Sequence, residues 1–554
     1  MTWYLKEIRS WLDADSARQN NQLQGRVFWR TDSFTAAGRI DSEIHGNGLA
    51  NDRVYSTATG RLLHAAIDRA AAIGTSYAVQ NLWYEYDRVG NVIERRDQAS
   101  GRDERFYTAG SPGKSDGYDG LDRLMVHRVI GGAETTVAYN RNGNISSKWG
   151  VGNYSYSRPH AVGYAGSRNY AYDANGSKMS SGYGSNALYT DWTSFGQLWR
   201  ISSMQTQKSA LFSFDAAGQR VKQERFSNTA ASGTPDETTI YVGGIYEKVG
   251  AGTTFEHRHY ILAPTGRVAV HTDRTSLVRD TRFLHTDGLG SIGTISDERG
   301  RVVRLSQKGQ TSPFALLKAQ PKGSNLTFRT FEGQQPSPIL PAWKNCWTEN
   351  ALAHREEYTA YNQVLGVVQS IKGINGLVTT WQHDGFGRMV REDRADGTYS
   401  LTNCRWPAAG APSGTAWFVE TESSGGAPAV SFHDKYGRTI ETHGVSGDNR
   451  LVRQLTLYDG LGRVSAVSRP YYGSGPVHWT TTTYDAIGRP WQVVTPDEAN
   501  GAQTTTYSYS NFAASATDPK GRVTETVRNS QGWVVSSVRN KYWRLGPIEC
   551  HTHA

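Results

Sequence analysis

Carboxylates, histidines and glycines are the residues of this sequence whose types and spacing could do chemistry. Aspartyl catalysis needs two carboxylates close enough to share a proton. Glycosidic cleavage needs two set across a cleft. The Asp residues here recur instead with a Gly three positions later, a spacing that gives each one a place in a turn. His257 and His259 bracket Arg258, and two-residue spacing puts both on one face of a strand. A metal site needs at least one more ligand, and none is local, so they read as strand histidines. Cys550, His551 and His553 form a nominal Cys/His tract without a second ligand pair, which reads as a terminal tail. Gly131-Gly132 and Gly243-Gly244 lack the Lys-Ser/Thr and the strand-turn-helix setting of a phosphate loop. The sequence thus names no catalytic, cofactor-binding or metal-binding residue, and the expectation is a protein that is not an enzyme and takes no cofactor.

The elements that position these residues come from an internal repeat: an aromatic, Asp, two variable residues, Gly, and often Arg. Clear copies are Tyr86-Asp87-Arg-Val-Gly90, Tyr458-Asp459-Gly-Leu-Gly462-Arg463 and Tyr484-Asp485-Ala-Ile-Gly488-Arg489. His leads His383-Asp384-Gly-Phe-Gly387-Arg388 and His433-Asp434-Lys-Tyr-Gly437-Arg438, and Phe leads Phe214-Asp215-Ala-Ala-Gly218. Looser copies are Tyr172-Asp173-Ala-Asn-Gly176, Tyr118-Asp119-Gly-Leu-Asp122-Arg123, Tyr139-Asn140-Arg-Asn-Gly143, Trp192-Thr193-Ser-Phe-Gly196 and Thr517-Asp518-Pro-Lys-Gly521-Arg522. Asp followed three residues later by Gly suits a type I turn, and the Asp carboxylate can accept backbone N–H groups inside it. The Gly then takes the left-handed conformation that completes a hairpin with a bulge. The aromatic ends the incoming strand and the Arg opens the outgoing one. Stretches such as Thr480–Tyr484 and Arg489–Thr495 are rich in β-branched and aromatic residues and read as strands. Helical periodicity is expected only around Ile8–Leu12 and over Gly60–Ala72. These turn residues are architectural in this reading.

The chain has 554 residues, including 59 Gly, 29 Tyr and 3 Cys, and 37% are hydrophobic. So many aromatics argue against disorder. Three distant Cys residues exclude a disulfide scaffold. No apolar run approaches the length of a membrane-spanning helix. The net charge of +9 comes from scattered residues with no basic block, so nucleic acid is not an expected partner. The opening Met1–Lys6 lacks the basic and apolar regions of a secretion signal.

At these repeats the sequence resembles the YD-repeat, or RHS-repeat, family, which includes bacterial Rhs proteins, the B/C components of insecticidal toxin complexes, and teneurins. Tyr241–Lys248, and Phe283–Ser291 followed by Ile295–Gly300, look like further family passages, the latter from near the end of the shell. The resemblance implies an all-β fold: repeated antiparallel β-hairpins forming a rolled or spiralling shell sheet. It implies a container for a toxin polypeptide rather than an enzyme, with that polypeptide or another toxin-complex subunit as partner. It also implies secretion or cell-surface display. Two other readings stand beside it: a surface or secreted adhesin that binds a glycan or partner through exposed Tyr and Trp, and a rearranged, non-functional gene product.

The second alternative comes from the order of the passages. The reading divides the chain into 1–29, irregular or partly helical; 30–304, a repeat block ending in the shell-end passage; 305–350, a Pro-rich join without repeats; 351–540, a second repeat block; and 541–554, a tail. Asp518-Pro519-Lys520-Gly521 has the Asp-Pro-x-Gly shape of the family's self-cleavage site. The family's Gly-Leu-x-Gly-Gly continuation is replaced by Arg522-Val-Thr-Glu-Thr526, so a further hairpin turn and no self-cleavage are expected.

Overall fold

A computed structural model describes residues 5–9, 26–69, 79–114, 116–276, 278–305, 343–346, 354–473 and 475–540. The fold is all-β. Among the described residues there is no α-helix, and the strands fall into two large antiparallel sheets of 26 and 18 strands. Contacts divide the chain into two compact units. One takes in Met1–Tyr4, Phe34–Arg39 and Gln307–Trp479; the other takes in Leu5–Ser33, Ile40–Ser306 and Thr480–Ala554.

Each unit is a meander. In the larger one, strands from Glu7–Arg9 to Val302–Leu305 pair antiparallel with their chain neighbours; registers such as Glu43 opposite Asn51 and Phe283 opposite Ser296 fix the ladder. The strands from Trp479–Tyr484 to Val534–Asn540 pair the same way. In the smaller unit the meander runs from Trp343–Cys346 to Tyr471–Tyr472. Short loops favour neighbour-to-neighbour pairing without long crossovers, although Tyr471–Tyr472 pairs with Leu451–Tyr458 past the intervening strand Val464–Ser468.

The repeat sets the hairpins. In the Asp459 turn the Gly462 amide donates to the Asp459 carbonyl at 2.9 Å and the Asp459 amide to the Arg463 carbonyl at 2.8 Å. Gly462 has φ +82, where a β-branched residue would be strained. The strand register slips between Leu457 and Tyr458, which is the expected bulge. Asp122 holds the Gly place in its own turn at φ +60, a conformation that Asp and Asn tolerate better than most residues.

The helical expectations are corrected. Glu7–Arg9 is a strand paired with Val27–Arg30, and Leu62–Arg69 is a strand between Leu49–Tyr55 and Gln80–Tyr86. His64, Ala65, Ala66 and Ile67 are all buried, so this strand is covered on both faces. A strand buried on both faces loses its alternation and imitates a short helical pattern. Ser10–Leu12 and residues 70–72 lie outside the described residues, as do most of the 305–350 join and the Cys550–His553 tract.

Among the described residues, buried apolar side chains gather into two small clusters. Leu49, Ile67 and Val79 form one cluster, and Ala65, Leu82 and Tyr84 form another, flanked by Leu62, Tyr86 and Val92.

Candidate functional site

The repeated turn is a polar device with three linked parts. The first is the Asp carboxylate. In the turns led by Asp119, Asp297, Asp384, Asp434, Asp459, Asp485 and Asp518, Oδ1 accepts the amides two and four residues ahead. In the same turns Oδ2 accepts the Nε of the Arg four residues ahead; for Asp459 and Arg463 the distance is 2.7 Å. Asp87 does the same with the amides of Val89, Gly90 and Asn91 and the Asn91 side chain. Asp173 and Asp215 cap through the amides of Ser177 and Gln219. Burial opposes ionisation of Asp119 and Asp297, but the Arg partner and the turn amides outweigh it and hold both carboxyls below the ordinary range.

The second part is the aromatic, which does more than end a strand. Tyr86, Tyr118, Tyr139, Tyr156, Tyr458 and Tyr509 each donate their hydroxyl to a carbonyl of the preceding hairpin: Leu62, Val92, Leu124, Ile145, Thr439 and Pro490. Trp192 donates its indole N–H to Lys178 in the same way. Each acceptor directly follows the Arg, or its counterpart, of the preceding turn. The third part is that Arg itself. Arg123, Arg438 and Arg489 sit 4.3, 4.4 and 4.1 Å from the ring centroids of Tyr139, Tyr458 and Tyr509. One turn's Asp therefore orients an Arg, the Arg stacks on the next aromatic, and that aromatic ties back to the first hairpin. Sequence spacing located the turns but not this coupling.

Trp192 keeps the tie, but two other substituted copies lose it. Phe214 has no donor. His433 turns to local partners, stacking on Trp417 at 4.1 Å and bonding Ser431 at 3.0 Å. Tyr172, His383 and Tyr484 end their strands, and the turns at Gly90, Gly176, Gly218, Gly387, Gly437 and Gly488 all have positive φ. Tyr458→Phe removes one tie while keeping the ring and its Arg438 contact. It is expected to cost about 1 kcal/mol in urea unfolding, whereas Tyr436→Phe, at an exposed turn tip, should be near neutral.

Three turns of the larger unit are joined by ion pairs between distant repeats. Lys520 reaches Asp87 at 2.5 Å, Arg522 reaches Asp122 at 2.6 Å, and Arg539 reaches Asp122 at 3.0 Å. Asn91 also donates to Asp122 at 2.8 Å. Burial opposes ionisation of Asp122, yet Arg522, Asn91 and Arg539 lower it to about 2. Arg61 meets Asp497 at 3.1 Å. Asp518 thus caps its own turn, with its carboxylate also facing Arg522 and Arg539.

A second polar cluster was not visible in the sequence. Glu43 is 1% exposed and accepts four side-chain donors: Trp29 at 2.6 Å, Arg53 and Thr265 at 2.7 Å, and Asn51 at 2.8 Å. Burial would raise its pKa; Arg53 and these donors outweigh that and hold it below the ordinary value. Two residues along, His45 stacks on His285 at 5.0 Å with an 8° interplanar angle and on Phe283 at 6.0 Å. His285 bonds the Ser296 hydroxyl at 2.7 Å. Burial drives the pKa of His45 down to about 4 and that of His285 well down. The sequence signal was faint: Glu43 with His45 and Asn51 with Arg53 alternate as an exposed polar face would, yet this face is turned inward.

Elsewhere, His257 shares a 2.7 Å hydrogen bond with Tyr246, and His259 lies against the same ring at 5.2 Å. Gly113-Lys114-Ser115-Asp116-Gly117 has the Gly-x-Ser-x-Gly spacing of a nucleophile elbow. It lies in a connection between strands rather than on a strand-to-helix turn, with Lys114 paired to Glu85 and Glu94; Ser115 is outside the described residues.

No family model matches the chain, and no curated protein matches it. Among solved structures, it is similar to TcdB2-TccC3 at 13% identity over 93% of this chain and 29% of that one, with a TM-score of 0.18. It is similar to TcdB2-TccC3 without the hypervariable C-terminal region at 11% identity over 89% of this chain and 27% of that one, with a TM-score of 0.19. A Photorhabdus luminescens Tc holotoxin pore matches at 12% identity over 94% of this chain and 28% of that one, with a TM-score of 0.15. The chain spans between a quarter and a third of the length of these structures.

Proposed function

We propose that the chain is wall material of a β-shell of the YD-repeat type, serving to enclose or present a toxin polypeptide or to assemble with another toxin-complex subunit. The observation that carries this reading is the tie from several strand-end aromatics to the preceding hairpin, as from Tyr86, Tyr118, Tyr139 and Tyr458, with the turn Arg stacked between in the Tyr139 and Tyr458 copies. A wall must hold its curvature without a thick apolar core, and linked turns supply that stiffness one hairpin at a time. The role is mechanical. Asp518 fits it, because its carboxylate is engaged by its turn and by Arg522 and Arg539.

Electron microscopy of the purified full chain tests the reading. A rolled wall around a solvent volume is expected, and detached sheets with no enclosed volume would overturn it. Intact-mass measurement tests the absence of self-cleavage: an uncut chain of 554 residues is expected, and a specific cut beside Asp518 would contradict it.

A further inference from the structure

We propose that the stacked His45–His285 pair is an acid-sensitive latch that fastens the strands Ile40–His45 and Leu49–Tyr55 to the strands Arg279–Thr286 and Ile292–Ser296 of the same unit. The two segments meet through side chains. Besides the ring stack, Asn47 donates to the Ser296 hydroxyl and the Asp297 carbonyl at 2.9 Å; beside these strands, Thr265 of the neighbouring turn donates to Glu43, and Arg26 pairs with Glu298 at 3.0 Å. The latch rings lie at the centre of this seam. His45 is 3% exposed and His285 is fully buried.

The seam accepts neutral rings and offers little to charged ones. Neither ring nitrogen of His45, nor Nδ1 of His285, has a hydrogen-bond partner among the described residues. A proton on either ring would place a buried cation against the other imidazole. The nearest counter-charge to His45 is Glu43, whose Oε1 is 4.0 Å from Nε2. That oxygen already accepts Asn51 and Arg53, and the Arg53 guanidinium adds a like charge. The other charged groups around the seam are Arg26, Asp297 and Glu298, with His271 bonded to Thr281 on the neighbouring strands. Arg26 is paired with Glu298, and Asp297 with Arg301.

The direction in pH follows. A histidine whose folded pKa lies below its unfolded value of about 6.5 stabilises the fold above that value. The contribution is lost as pH falls toward the folded pKa, about 4 for His45. Glu43, Asp297 and Glu298 are all held below their ordinary values, so they stay ionised through most of this window. The histidines are the seam groups that titrate there, and each can shift the closed–open balance by up to about tenfold per pH unit.

Amide hydrogen exchange on the full chain, corrected for intrinsic rates, tests the latch at pH 7.5 and at pH 4.5. Peptides covering 40–55 and 279–296 are expected to lose at least about tenfold of their protection at the lower pH. Peptides covering 378–405 should keep theirs. In His45→Phe, which retains a stacking ring but cannot be protonated, the loss should shrink. Unchanged protection in the wild type, uniform loss along the chain, or an equal loss in His45→Phe would overturn the proposal. A measurement independent of variants is exchange at the imidazole C2 position. Midpoints for His45 and His285 below about pH 5.5 support the latch, and midpoints near 6.5 with the strands still protected would refute it.

Discussion

Glu43→Ala is expected to lower the unfolding free energy by about 3–5 kcal/mol, the largest loss from any single replacement in the buried polar cluster. The size comes from what the carboxylate leaves behind. Arg53 is 13% exposed and would lose its ion pair, and the donors of Trp29, Asn51 and Thr265 would lose their acceptor. Trp29 is fully buried, so its indole N–H has no access to water as a substitute. Glu43→Gln keeps the shape and one acceptor oxygen but removes the charge that balances Arg53. It should fall between wild type and alanine. Urea unfolding at pH 7 reads both. A loss below about 1 kcal/mol for Glu43→Ala would mean that the four donors find other partners. The pH dependence has a fixed sign: the Glu43 contribution is complete above its unfolded pKa and disappears as pH falls through its lower folded value. The acid sensitivity of Glu43 therefore lies below that of the His45–His285 latch; Glu43→Ala should remove the lower of the two and, by taking away the nearest counter-charge of His45, leave the upper one in place or strengthen it.

The difference between what was legible in the sequence and what was not follows the range of the interactions. Asp459, Gly462 and Arg463 act on one another within five residues, and their spacing alone specifies a turn, a left-handed Gly and a bulge. The all-β fold follows from repeating that local rule. Tyr458 shows the limit: its place in the motif was plain, but its acceptor, the Thr439 carbonyl, lies in the previous hairpin. The uneven spacing between copies hid this, because the number of residues between a Tyr and its acceptor varies with loop length. The Glu43 cluster was hidden for another reason. Thr265 and Glu43 are 222 positions apart, and nothing in either segment marks that face as inward. The strand Leu62–Arg69 misled in the opposite sense, since burial on both faces erased the alternation that identifies strands.

Arg522→Ala is expected to cost about 2–4 kcal/mol and to loosen the strands from Trp479–Tyr484 to Val534–Asn540 before the rest of the larger unit. Arg522 is 4% exposed as a side chain and holds Asp518 and Asp122 together, each at 2.6 Å, although Asp122 is 400 positions earlier. Without it Arg539 is the cation the two carboxylates still share, at 3.0 Å from Asp122 and 3.5 Å from Asp518, and that arginine is 30% exposed; Asn91 still donates to Asp122 and the turn amides to Asp518. Arg539 limits the loss, so the expected cost lies below that of an isolated buried pair. Arg522→Lys should recover little, because one ammonium cannot reproduce a guanidinium that contacts Asp518 through Nε and Asp122 through Nη1. A double-mutant cycle with Asp122→Ala separates the pair from general disruption: a coupling of at least about 1 kcal/mol is expected. Limited proteolysis supplies the second reading, with faster cutting in 480–540 in the variant than in wild type. Additive losses without that local cutting would mean that Arg522 serves its own turn alone. Coupling with local release would instead identify the 518–522 turn as a tether between repeats that are distant in sequence, the kind of contact by which a ladder of independent hairpins becomes a wall that unfolds as one body.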